Sequence, residues 1–168
     1  MLNTAESIAR SPFPALAESF AVRAARAAGI AAEHAAAVDS EARFPQEAMD
    51  ALKQEKLLGM MVPEALGGEA ASAGQVVDIC YALGRACSST GMIFAMHQVK
   101  AACIVHHGMD SAWHRDFMTR MVRDQLLLAS STTEGKGGGN VRASEAPVEA
   151  ADGRILLVRD ASVISYGA

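Results

Sequence analysis

Apolar positions recur at three- and four-residue spacing through most of the first 124 residues, and the chain loses that period afterwards. Five helices are predicted from the spacing. The first is introduced by Pro12 and Pro14 and runs through Leu16, Phe20 and an alanine-rich stretch to about Ala37, with a break or bend expected at Gly29. In the second, Pro45 occupies a tolerated first-turn position, Met49, Leu52 and Leu57 form the apolar face, and Gly59 is the expected stop. Val62-Pro63-Glu64 and Gly67-Gly68 then exclude helix and imply a compact connection. From Ser72, Val76, Ile79, Cys80, Leu83 and Cys87 line one side of a third, central helix. Ser88-Ser89-Thr90 offers capping hydroxyls for a fourth, where Met92, Ile93, Met96, Val99, Cys103 and Ile104 leave little circumference for water. It is predicted to be the most buried helix. Gly108 closes it, Asp110 or Ser111 can cap the fifth, and Trp113, Phe117, Met118 and Met121 mark its packed face to about Arg123.

The pattern changes between Leu126 and Asn140. Leu126 to Thr133 passes from wholly apolar to hydroxyl-bearing, as a strand does on leaving a core for a polar surface. Gly135, Gly137, Gly138 and Gly139 follow, and such a run serves equally as a surface loop or as backbone that approaches an anion closely. Val141 to Ala151 and Arg154 to Tyr166 lack helical period, and Asp152-Gly153 between them is a short hairpin signal. The fold class expected is therefore mainly α: an amino-terminal helical bundle over residues 1–124, followed over 125–168 by the first antiparallel strands of an incomplete β domain. Two strands close no sheet. The expectation is a fragment, or a chain completed by a partner.

Composition supports the helical reading and removes several function classes. Hydrophobic residues make up 51 % and aromatic residues 5 %, a balance set by alanine and methionine, which suit close helix packing. Net charge is −4 with scattered cations, which gives no basic footprint for nucleic acid or anionic membrane. The amino terminus lacks the regions of a signal peptide and no apolar run reaches a membrane span, so a cytoplasmic location is expected. Cys80, Cys87 and Cys103 have no CxxC spacing and read as buried thiols.

Candidate chemistry is sparse. Lys136 is followed by Gly137, where a P-loop needs serine or threonine, and Asn140 takes the last glycine position of the dinucleotide fingerprint with no helix behind it. His97, His106 and His107 share one helix, but no two of them lie one turn apart on one face, so a metal pair is not expected. The methionines read as core filler or as the lining of an adaptable apolar pocket. No spacing signals a nucleophilic triad.

Four stretches carry a resemblance. Leu57-Leu58-Gly59-Met60-Met61-Val62-Pro63-Glu64-Ala65-Leu66-Gly67-Gly68, Leu83-Gly84-Arg85-Ala86-Cys87-Ser88-Ser89-Thr90-Gly91-Met92 followed by His97, Thr133 to Asn140, and Val163-Ile164-Ser165 together resemble the amino-terminal half of the acyl-CoA dehydrogenase family. Leu66 stands where the family usually has tyrosine, Gly139 where it has a serine, Val163 where it has a flavin-packing tryptophan, and Ala161 where a lysine is frequent. The resemblance implies an FAD-dependent oxidoreductase that desaturates an acyl-CoA thioester at its α and β carbons, assembled as a homo-oligomer when full length, with the electron acceptor left open. By the same resemblance Ser131, Thr132, Thr133 and Ser165 would contact the flavin, and Met92, Met96, His97 and Gly139 would border substrate. The family's glutamate base lies in a carboxy-terminal bundle that the sequence does not contain, so no catalytic residue is named and the isolated chain is expected to be inactive. Two alternatives stay open: a two-component flavin monooxygenase on the same fold, and a non-catalytic truncated remnant.

Overall fold

The computed structural model describes residues 19–131, 133, 148–161 and 164–165. Five helices in this order build the core: α1 (Phe20–Ser40), α2 (Gln46–Gln54), α3 (Ala73–Ala86), α4 (Ser88–His107) and α5 (Ala112–Asp124). A hairpin of β1 (Val148–Ala151) and β2 (Arg154–Leu157) follows. Among the described residues no helix is long and apolar enough to cross a membrane.

Helix α1 is capped by Ser19, whose side chain accepts from the Val22 N–H, and it buries Ala24, Ala27, Ala31 and Val38. Small side chains at that spacing let α2 and α3 approach its backbone. The break expected at Gly29 is absent, and α1 is a single assigned helix. Gly29 is exposed and touches nothing, so only its propensity penalty of about 1 kcal/mol opposes a helix held by its other face.

The stop of α2 also differs from expectation. It ends at Gln54, well before Gly59, because Lys56 turns to φ +55° while the Leu57 N–H reaches the Leu52 carbonyl at 3.0 Å and the Lys56 N–H reaches Lys53 at 3.0 Å. That is the paired-bond stop usually built on glycine, here with lysine in the left-handed position. Gly59 has another use. A Cβ there would lie 2.9 Å from the Val122 Cα, so this glycine sets the distance between the connection and α5.

The compact connection forms as expected, with a 3-10 turn at Glu64–Leu66 and Gly67 at φ +89°. Gly68 has no alternative, since its Cβ would fall 1.9 Å from the Val62 carbonyl oxygen that also accepts from Ala70. Ser72 and Gln75 form a reciprocal capping box at the start of α3, which packs between α1 and α4. The α3–α4 crossing depends on bare backbone: a Cβ on Gly91 would stand 2.7 Å from the Gly84 Cα.

In α4 the expected cap is replaced. Cys87 is the N-cap without a side-chain bond, Ser88 to Thr90 lie inside the first turn, and the buried Thr90 hydroxyl has no hydrogen-bond partner. The prediction that almost all of α4 is covered fails on one side: Met92 is 61 % exposed and Val99 60 %, and Cys103 is exposed too. The inward side is Thr90, Gly91, Ile93, Phe94, His97, Gln98 and Ala101. With apolar residues all round, periodicity could not say which side faces the core. Ser111 caps α5 as expected, and Met118 and Met121 are buried, but Trp113 is outward and stacks on Phe117 at 5.5 Å between ring centroids.

The hairpin expected at Asp152-Gly153 is present, in register Val148↔Leu157 to Ala151↔Arg154, with Asp152 at φ +54° and Gly153 at φ +71°. Two consecutive positive φ angles give the turn whose twist matches antiparallel strands. Of the first expected strand, Val141 to Ala151, residues 141–147 lie outside the described residues; of the second, Arg154 to Tyr166, the described residues after Leu157 do not continue the ladder, apart from the bridge at Ser165. Among the described residues of the predicted strand over Leu126–Thr133, one position pairs: Ser130 and Ser165 form an isolated antiparallel bridge, with both N–H to carbonyl bonds made at 2.9 and 3.0 Å.

Candidate functional site

The segment from Leu126 to Ser131 is where the helical core meets the extended region. Leu127 packs on the cluster containing Met49, Leu52, Leu57, Leu58, Ile79, Leu83 and Phe94, whereas Leu126 and Leu128 pack on the cluster of Val62, Ala101, Met118 and Met121. Alternate residues thus enter two different parts of the core, as extended geometry requires. The apolar half is clamped, and the hydroxyl half emerges.

Where it emerges, Ser130 is buried and Ser131 exposed. The Ser130–Ser165 pair brings Ser165, which is half-buried, alongside the strand that carries Ser131 and Thr133. The Arg159 Nη1 donates to the Ser131 carbonyl at 2.7 Å, a second tie between the two stretches. Of the four residues named for a cofactor, Ser165 is therefore brought beside Ser131, which adjoins the bridge, and Thr133 lies two residues further along the same segment. Thr132 lies outside the described residues, as do Gly139 and the rest of the glycine turn and Val163.

The three α4 residues named for a substrate separate. Met92 is outward and Met96, one turn on, is half-buried, so these two share a side of the helix. His97 turns inward and is fully buried. Its Nδ1 accepts from the Leu128 N–H at 3.1 Å, and its Nε2 lies 2.8 Å from the Leu58 carbonyl. Because Nδ1 receives a proton donor it carries no hydrogen, so the ring is the neutral Nε2–H tautomer donating to Leu58. Burial lowers its pKa from the usual 6.5, and the Leu58 carbonyl opposes that in part. Both nitrogens are occupied inside the core, and His97 does not border an open pocket.

His97 is part of a buried polar cluster that the sequence reading missed. Gln98 Nε2 donates to the Leu57 carbonyl at 3.0 Å, Gln125 Oε1 accepts from the Leu58 N–H at 3.0 Å, and Gln125 Nε2 donates to Val122 at 2.8 Å. Leu57 and Leu58 leave α2 into the core, where their peptide groups would otherwise lose water without replacement. Side chains from α4 and from the end of α5 supply the missing partners. The available signal was two adjacent polar residues, His97 and Gln98, in the most apolar helix. A cavity of about 390 Å³ lies between α1 and α3, lined by Phe20, Ala24, Gln75, Asp78 and Ile79 among others, and includes none of the named site residues. Among the described residues, no three histidine, cysteine or acidic side chains gather in a metal-binding cluster.

Comparison with known proteins adds two findings. Residues 18–125 match the family model described as acyl-CoA dehydrogenase, N-terminal domain. A 3-sulfinopropanoyl-CoA desulfinase from Paraburkholderia xenovorans (strain LB400) is 31 % identical over 108 residues, which cover 64 % of this chain and 27 % of that protein. The chain therefore aligns with about a quarter of that relative's length. No solved structure matches.

Proposed function

The chain belongs to the acyl-CoA dehydrogenase family, and on that premise we propose that it is the helical and cofactor-facing part of an FAD-dependent oxidoreductase that dehydrogenates an acyl-CoA thioester. The observation that carries the reading is the Ser130–Ser165 bridge, which sets Ser165 beside the segment that carries Ser131 and Thr133 and whose base is locked in the core. Hydroxyls and strand-end peptide groups suit the polar edge of a flavin. The residues fit. Ser131, Thr133 and Ser165 would hold the ring edge, with Thr132 and the glycine turn as further contacts in the same reading. The flavin, when bound, supplies the acceptor for a hydride from the substrate.

The chain's own contribution is placement. Leu126, Leu127 and Leu128 fix the strand, so the hydroxyl groups beyond them are offered at a constant depth. Met92 and Met96 would meet the acyl portion, their flexible thioethers accommodating a variable apolar chain. His97 is not available as the base for the α proton, since both its nitrogens are already engaged in the core. In this reading the functional unit is a homo-oligomer.

A second reading is favoured by the relative. A desulfinase acting on 3-sulfinopropanoyl-CoA shares the CoA thioester but breaks a carbon–sulfur bond. One experiment separates the two: the full-length gene product reconstituted with FAD is mixed anaerobically with a panel of saturated acyl-CoAs and, separately, with 3-sulfinopropanoyl-CoA. Loss of oxidised-flavin absorbance with an acyl-CoA is the expected result. Sulfite release without flavin reduction favours the second reading, and no response to any thioester refutes both.

A further inference from the structure

We propose that His97 is a positioning residue, a two-ended latch that sets the depth of the cofactor-facing strand by joining the Leu58 carbonyl to the Leu128 N–H through one imidazole ring. The inference deepens the flavin reading and rests on it for the identity of what the strand holds. The latch itself stands on geometry alone.

Each end of the ring holds backbone that has no regular partner. Leu58 belongs to the connection after α2, with its N–H held by Gln125 and its carbonyl by His97. Leu128 lies two residues before the Ser130 bridge, and among its described neighbours the ring is the acceptor its N–H finds. An imidazole is rigid, so the separation of its two nitrogens fixes the separation of the two chain segments. A flexible amide in the same place would not. A shift of Leu128 would carry Ser130 and Ser131 with it, because only two residues separate Leu128 from Ser131.

This assignment also explains why a histidine is tolerated at the centre of the most apolar helix. Only the neutral ring can serve, since a doubly protonated ring would point an N–H at the Leu128 N–H. The groups that face it from each packed element are uncharged: Leu58 from the connection, Gln98 on α4, Gln125 at the end of α5 and Leu128 on the strand. Among the described residues, no charged side chain contributes to the direction in which its pKa moves.

Two substitutions divide the latch. In His97→Asn the side-chain amide reaches the Nδ1 position and keeps an acceptor for Leu128, whereas in His97→Gln it reaches the Nε2 position and keeps the donor to Leu58. The expected result is that the Leu128 amide exchanges with solvent faster by on the order of tenfold or more in His97→Gln and stays close to wild type in His97→Asn. FAD affinity, measured by flavin fluorescence quenching on the same proteins, is expected to fall in His97→Gln and to be largely kept in His97→Asn. Unchanged Leu128 exchange in His97→Gln overturns the latch. Faster exchange with undiminished FAD affinity overturns its positioning role. Faster exchange in a protein whose wild type binds no FAD supports the latch and refutes the flavin reading, so the two failures are distinguishable. Should either variant fail to fold, the nitrogen chemical shifts of His97 in the wild type decide: the Nε2–H tautomer is expected, and an Nδ1–H tautomer contradicts the latch.

Discussion

The helical region over residues 19–125 and the extended region beyond it contain similar side chains and treat them in opposite ways. In the helices, Phe94, Leu52, Leu58, Leu83 and Met118 are sealed from solvent. In the hairpin, Ile155 is 76 % exposed, and Val148, Leu156 and Leu157 are exposed as well, as is Val158 just beyond it. Apolar content therefore does not decide burial here; having a second surface to pack against does. A helix finds that surface within its own bundle, whereas among the described residues the two-stranded sheet has no element packed on either face.

The largest test of this contrast is Phe94→Ala, which removes a sealed ring shared by α4 and the α2 connection. It is expected to cost about 3–5 kcal/mol in chemical denaturation. Gly91→Ala comes next. Its new methyl meets the Gly84 backbone and must push α3 from α4, with an expected cost of about 1–3 kcal/mol by the same measurement.

A third test uses pH. His97 has a lowered pKa in the folded protein, so the unfolded chain takes up a proton near 6.5 that the native core refuses. Stability is therefore intact above that pH and falls as pH drops below it, by at most about 1.4 kcal/mol per pH unit for one proton. The decline ends only at the lower, folded pKa. In His97→Gln this component of the pH dependence should vanish from the denaturation curves. The smallest effect is expected from Ile155→Ala, within about 0.5 kcal/mol, because its side chain is already in water. A larger loss would mean that the hairpin is covered in solution and would narrow the contrast between the two regions.

How far the sequence could be read follows the same division. Helix existence and order were legible because each helix carries its own period, and the Ser72 and Ser111 starts were legible because their hydroxyls cap locally. Errors arose where a distant contact decides. Lys56 takes the left-handed place expected of glycine because Leu57 and Leu58 must enter the core, and Gly59 is kept small by Val122, more than sixty residues later. Met92 and Val99 were expected inside because α4 is apolar on every side, and only the partners of His97 and Gln98 reveal its inward face. At the candidate site, Ser131, Thr133 and Ser165 were named from resemblance, since nothing local distinguishes a flavin-facing hydroxyl from an exposed one. Thr132 and Gly139 lie outside the described residues.

The central claim is that the hydroxyl-bearing strand is registered on the helical core and paired with the stretch around Ser165. Hydrogen–deuterium exchange at the Ser130 and Ser165 amides tests it most directly. Both amides should be protected together, well above those of the exposed hairpin turn at Asp152 and Gly153. Exchange of both at the rate of that turn would show that the bridge does not form in solution and would contradict the account.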